Sequence, residues 1–187
     1  MIHSARFTCV IDANVLYPAY LRDLLFQFAI ENLFTIKWSK RIFDECERAL
    51  RKNGMDSKKI NRLKENMHKA FPDALVSRYD SLIEKVELPD PNDRHVLAAA
   101  IKINANVIVT FNLKDFPEKI LNQYNLRAIH PDDFLVDIID LNPTISCEAF
   151  RELVLNYNKP PLNEYEVLNI LRKNSLKQTA DFLHSQL

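Results

Sequence analysis

Phe7-Thr8-Cys9-Val10-Ile11-Asp12 is an apolar run of strand length that ends on a carboxylate. A run this short, with so little alternation, suits a strand buried on both faces, as in a parallel sheet. The strand reading covers residues 6–11 and stops at Asp12-Ala-Asn-Val and Pro18. Helical periodicity takes over from about residue 18 to 32, with Leu21, Leu24, Leu25, Phe28 and Ala29 on one face. Residues 34–38 alternate as a second strand. Ser39 is placed to cap a helix to about residue 50, whose buried stripe is Ile42, Phe43, Cys46, Ala49 and Leu50. A highly polar helix covers about 57–70, and a third strand is expected near 82–86. The almost wholly apolar stretch 94–103 reads as a buried helix and 107–110 as a β-branched strand. A small helix near 117–123, a strand at 127–129 and a helix from Pro131 follow. Strands alternating with helices predict an α/β domain with a mainly parallel sheet over about residues 1–140.

From Leu141 to Leu187 the pattern turns wholly helical, which marks 141–187 as a C-terminal extension. Pro160-Pro161 divides it, and Asn163 with Glu166 and Ser175 with Gln178 have capping-box spacing. Its apolar residues include Phe150, Leu153, Val154, Leu168, Ile170, Leu171, Leu176 and Phe182. These must bury against the α/β domain, a second copy or another protein.

With 25 basic and 25 acidic residues, bulk charge points to no nucleic-acid or membrane partner, so electrostatic arguments must rest on local clusters. The few residues before the first strand leave no room for a signal peptide, and no apolar run approaches the ~20 residues of a membrane span. Cys9, Cys46 and Cys147 lie scattered in apolar contexts, which fits core residues in a reducing cytoplasm. Gly54 is the only glycine. A P-loop, a dinucleotide-binding turn and a nucleophile elbow all need glycines for close backbone approach, so all three are excluded.

Four acids stand out: Asp12, Glu45, Asp93 and Asp115. Asp12 closes the first strand, where parallel sheets place ligands. A helix cap is its weaker reading, because Pro18 leaves a gap of several residues. Asn14 could supply a neutral oxygen beside it. Asp90-Pro91-Asn92-Asp93 is a sound helix start in its own right, so Asp93 is open to a capping or a chemical role. His130-Pro131-Asp132-Asp133 shows the same acidic start, and capping alone explains it. Glu45 and Glu47 lie at opposite borders of one apolar stripe, and periodicity does not choose between them. Asp115 follows the 107–110 strand by a short loop, with Thr110 and Asn112 offering further oxygens. Carboxylates gathered at a buried sheet edge repel and lose hydration. Protonation, a basic partner or a divalent cation relieves this, and oxygen-only ligands favour Mg²⁺ or Mn²⁺.

Together and in this order the acids resemble those of PIN-domain nucleases, especially bacterial toxins of the VapC-like type. The resemblance rests on Val10-Ile-Asp-Ala-Asn-Val-Leu16, on residues 39–45 and above all on Asp90-Pro-Asn-Asp-Arg-His-Val-Leu-Ala-Ala-Ala100. Ile108-Val-Thr-Phe-Asn-Leu-Lys-Asp-Phe-Pro117 completes it, over about residues 6–135. It implies a three-layer α/β/α fold and metal-dependent RNA cleavage at Asp12, Glu45, Asp93 and Asp115, and it selects Glu45 over Glu47. Asn112 stands where many relatives carry an acid, which implies a weakly held second metal. It also implies an RNA substrate and a cognate antitoxin, with a homodimer open.

Lys40, Arg41, Arg48, Arg51 and Lys52 lie on the helix of Glu45, and Lys58, Lys59, Arg62, Lys64 and Lys69 follow. Such a stripe could track a phosphate backbone, or be a solvated helix face. Two rivals remain. A receiver-like phosphoacceptor would use Asp12, Thr110 and Lys114, yet it lacks the preceding acidic pair and leaves Glu45 idle. A dehalogenase-type fold needs a second acid where Asn14 stands. A PIN-like binding module without catalysis is the other rival, and the intact set of four acids argues against it.

Overall fold

The computed structural model describes residues 7–187. Arg6, the first residue of the expected strand, lies outside the described residues, as does the segment before it. β1 (Thr8–Ile11) runs into α1 (Ala13–Leu16) and α2 (Ala19–Ile30), and β2 (Thr35–Ser39) into α3 (Lys40–Lys52) and α4 (Ser57–Ala70). β3 (Leu75–Val76) leads to α5 (Asp80–Ile83) and α6 (Arg94–Lys102), and β4 (Val107–Val109) to α7 (Glu118–Leu121). β5 (Arg127–Ile129) is followed by α8 (Pro131–Leu141), α9 (Pro143–Asn156), α10 (Glu164–Lys173) and α11 (Lys177–Gln186).

Among the described residues the strands form one five-stranded sheet in the order β3-β2-β1-β4-β5, every pairing parallel. Cys9, Val10, Ile11 and all of β4 are fully buried, as strands covered on both faces require. Contacts link α3, α5 and α6 in one helical layer, and α2, α8 and α9 in another. The fold is a three-layer α/β/α sandwich with additional C-terminal helices. Pairing of Ile11 with Val109 brings the carboxyl ends of the central strands β1 and β4 level. The chain leaves β1 towards β2 on one side and reaches β4 on the other. That reversal is where open α/β sheets form a ligand crevice.

Several expectations are corrected. Residues 82–86 are not the third strand: α5 occupies Asp80–Ile83, and the third strand is the two-residue edge strand β3. Leu82 and Ile83 pack on Ala98 and Ala99 of α6, and a short apolar run carries no periodicity long enough to separate the two forms. The helix near 117–123 is α7 followed by a 3₁₀ turn at Asn122–Tyr124, closed by Asn125 at φ 54°. The gap after Asp12 is filled by α1, and Asp12 is its N-cap. Buried Arg22 holds the other end of α1, its Nη1 donating to the carbonyls of Leu16 at 2.9 Å and Tyr17 at 3.3 Å.

The C-terminal helices share the main core. Phe150, Leu153, Val154, Leu168, Leu171 and Leu176 are buried in one cluster with Leu21, Leu24 and Phe28 of α2. Asn163 and Glu166 form the expected capping box. Ser175 does not cap α11: it sits at φ 65°, and Leu176 is the cap residue. The free N–H groups of α11 go instead to Asp132 of α8, which accepts from Gln178 N at 3.0 Å and Thr179 N at 2.8 Å. Thr179 Oγ1 adds a third bond at 2.7 Å. Asp132 is thus more than an acidic helix start. It is a buried carboxylate that caps a helix 46 residues further on.

Candidate active site

Asp12 leaves β1 beside the end of β4, its N–H donating to the Val109 carbonyl at 3.0 Å. Its side chain is almost fully buried and accepts three bonds. Ala13 N donates at 2.6 Å, Asn14 Nδ2 at 2.7 Å and Thr110 Oγ1 at 2.7 Å. Asn14 ties the network across the sheet: its Nδ2 also donates to Thr110 Oγ1, and its Oδ1 accepts from Phe111 N at 3.2 Å. Thr110 Oγ1 accepts in turn from Asn112 N at 3.0 Å. Asn14 and Thr110 therefore fix the Asp12 carboxylate and the start of the loop after β4. Burial pushes the Asp12 carboxyl above its usual range, against the hydrogen bonds from Thr110 and Ala13.

Asp93 lies in the 3₁₀ turn Pro91–Asp93, immediately before α6. Asp90 caps that turn by accepting from Asn92 N at 2.8 Å, as the sequence predicts. Asp90, Asp93 and Asp115 converge further, each presenting a carboxylate oxygen within 4.8 Å of the others. Asp90 is the acid that sequence reasoning missed as a site residue, because a capping role already accounted for it. Asn112 Nδ2 donates to Asp115 Oδ2, so this amide engages an existing carboxylate. Asp12 and Glu45 lie outside the trio but within electrostatic reach: Asp12 raises the Asp93 carboxyl, and Glu45 raises that of Asp12.

Geometry separates the two glutamates of α3. Glu47 is held by Arg51, whose Nη2 donates at 2.6 Å. Glu45 Oε1 lies 3.0 Å from Nε2 of the fully buried His95 and 3.6 Å from Arg48. Of the basic side chains on α3, all exposed, Lys40 pairs with Asp44 at 2.7 Å and Arg51 with Glu47. Arg41, Arg48 and Lys52 stand at helical spacings from Glu45 that share its face. The basic stripe is thus narrower than the sequence implied.

Burial first, then the charges of Asp12, Asp90 and Asp115, lift the Asp93 carboxyl from 3.8 to about 6. The three carboxylates that converge here offer anionic oxygens, which suit a hard divalent cation. In metal-free protein the sign is fixed: the folded state holds the Asp93 proton more tightly than the unfolded state. Stability is therefore lost as pH rises from about 4 through about 6, by roughly 1–2 kcal/mol once partial exposure is allowed for. In excess EDTA at pH 7.5, Asp93→Asn is expected to melt about 3–6 °C above wild type, the two converging near pH 4. Millimolar Mg²⁺ or Mn²⁺ should raise wild-type melting and shift the variant less. Differential scanning calorimetry across pH checks this, and an Asp93→Asn variant that melts below wild type in EDTA would contradict it.

A parallel sheet between helical layers, with acids from β1, α3, the start of α6 and the loop after β4, is a PIN-type arrangement. The chain belongs to the PIN-domain family: the family model for the PIN domain matches residues 8–114. A model described as the VapC50 C-terminal domain matches residues 131–185. Over 79 residues the chain is 46% identical to "Putative ribonuclease VapC50" of Mycobacterium tuberculosis (strain ATCC 25618 / H37Rv). That match covers 42% of this chain and 47% of the relative, about half the length of each. No solved structure matches the chain.

Proposed function

We propose that the protein is a divalent-metal-dependent endoribonuclease, a VapC-like toxin held in check by a cognate antitoxin. The observation that carries the reading is the convergence of Asp90, Asp93 and Asp115 beside buried Asp12 at the carboxyl edge of a PIN-domain sheet. The relative's name, "Putative ribonuclease VapC50", supports the same activity. Residues 1–140 are the proposed nuclease domain and 141–187 its helical extension, with the cytoplasm as the compartment. No described helix is long and apolar enough to cross a membrane.

Asp12, Asp93 and Asp115 are the proposed ligands of Mg²⁺ or Mn²⁺, with Asp90 added to them, and Glu45 is a ligand or the acceptor of a proton from the attacking water. When bound, the ion supplies Lewis-acid polarisation of the phosphoryl oxygen and a more acidic water. Asn14 and Thr110 hold Asp12 in place by their bonds to its Oδ2. Asn112, bonded to Asp115, adds no charge for a second ion. Arg41, Arg48 and Lys52 flank Glu45 and are the proposed contacts to the RNA backbone, Arg48 lying 3.6 Å from Glu45 itself, whereas Lys40 and Arg51 are held more closely, at 2.7 and 2.6 Å, by Asp44 and Glu47. Incubation with single-stranded RNA and Mg²⁺ or Mn²⁺ should give cleavage products, and excess EDTA should abolish them. Undiminished cleavage in EDTA would overturn the metal mechanism. An intact substrate with either metal would favour a binding module without catalysis.

A further inference from the structure

We propose that His95 is a positioning residue whose Nε2 holds the Glu45 carboxylate and so fixes the one site acid contributed by α3. The inference rests on the nuclease reading above. His95 is fully buried near the start of α6, among Val96, Leu97 and Ala98, which are buried as completely. An imidazole in such surroundings loses hydration and needs a polar partner. Glu45 Oε1, at 3.0 Å from Nε2, is the polar atom within reach. The distance suits a hydrogen bond, but the angle does not, and neither ring nitrogen has a hydrogen-bond partner among the described residues. The hold therefore requires the partly exposed Glu45 side chain to turn its carboxylate onto Nε2.

Glu45 needs such a hold. Asp12 is fixed by three donors, and Asp93 has its backbone placed by the turn that Asp90 caps. Glu45 rises from a helix face where Arg48, 3.6 Å away, offers a competing exposed pair. Engaging Oε1 from inside the protein opposes that pull and leaves Oε2 for the site. The arrangement requires no change of charge on the ring, since a neutral imidazole with its proton on Nε2 is also a donor. Second-layer partners of this kind orient the groups that face a metal.

The test uses the full chain, the single variants Glu45→Gln, His95→Leu, His95→Gln and His95→Asn, and double variants at the two positions. The Gln amide can reproduce the Nε2 donor, whereas the shorter Asn amide cannot reach Glu45. His95→Leu and His95→Asn should lower kcat on single-stranded RNA about 10–100-fold with KM nearly unchanged. Both should weaken Mn²⁺ binding in calorimetric titration. His95→Gln should recover most of both quantities. In the Glu45→Gln background, His95→Leu should cost little further, because the two residues act as one unit. Equal kcat for the Gln and Asn variants, or additive losses in the double variant, would overturn the proposal. If His95→Leu fails to fold, the contrast between Gln and Asn decides alone. If wild type does not cleave RNA, the nuclease reading falls. The melting temperatures of a Glu45→Ala/His95→Asn cycle without metal, in which neither single variant keeps the contact, are then decisive, and an additive cycle overturns the contact itself.

Discussion

Asp12→Asn is expected to lower the rate of RNA cleavage by about 10³-fold, the several kcal/mol of charge stabilisation that a correctly held cation contributes. The substitution keeps the shape of the side chain but removes its charge at the point where β1 and β4 end together. Three donors now converge on the carboxylate, from Ala13, Asn14 and Thr110. An amide can accept with one oxygen only, and its NH₂ then faces groups that themselves donate. Loss of charge-assisted bonds would destabilise by about 1.5–3 kcal/mol, while release of a buried charge works in the opposite direction. The net change in melting temperature should therefore be small, and the loss of rate large. Circular dichroism melting beside a cleavage assay separates the two. A folded variant with wild-type cleavage would remove Asp12 from the site.

Much of this was legible because parallel α/β topology converts sequence order into spatial order. A carboxylate at the end of β1 and a threonine at the end of β4 become neighbours once those strands pair. The 107–110 and 127–129 strands, the 57–70 helix and the Ser39 cap were readable from β-branching, periodicity and capping chemistry. What escaped were residues with two roles or distant partners. Asp90 looked complete as a cap, so nothing in the sequence required it to face Asp93 and Asp115. His95 is the polar residue that α6 buries among its apolar ones, and a histidine beside Arg94 in sequence reads as part of an exposed helix start. Asp132 caps α11 across 46 residues, and Ser175 stood at the right spacing to be mistaken for that cap. Local spacing cannot reveal a carboxylate supplied from another helix. The two-residue β3 lies below the length at which alternation can be read at all.

Truncation after Asp140 is expected to abolish folding rather than to release an active nuclease. The sequence leaves open whether the apolar residues beyond Leu141 cover the α/β domain, a second copy or a protein partner. The fold places them against α2 and α8, in the same cluster as β1 and β4. Phe150, Leu168, Leu171, Leu176, Ala180 and Leu183 are fully buried, so deletion strips the outer layer from Leu21, Leu24, Leu25 and Phe28. Each large side chain of this kind contributes about 1.5–3 kcal/mol by burial. The five large ones among them together contribute roughly 8–15 kcal/mol, as much as the ~5–15 kcal/mol by which a whole domain is stable. The deletion also leaves buried Asp132 without Gln178 and Thr179, an uncompensated carboxylate beside exposed core. A milder probe is Phe150→Ala, expected to cost about 3–5 kcal/mol and to lower the melting temperature with the site residues untouched. Expression of residues 1–140, followed by near-ultraviolet circular dichroism and thermal melting, gives the direct answer. A cooperative transition in the truncated protein would mean that the α/β domain stands alone and would return the helical extension to a partner-binding role.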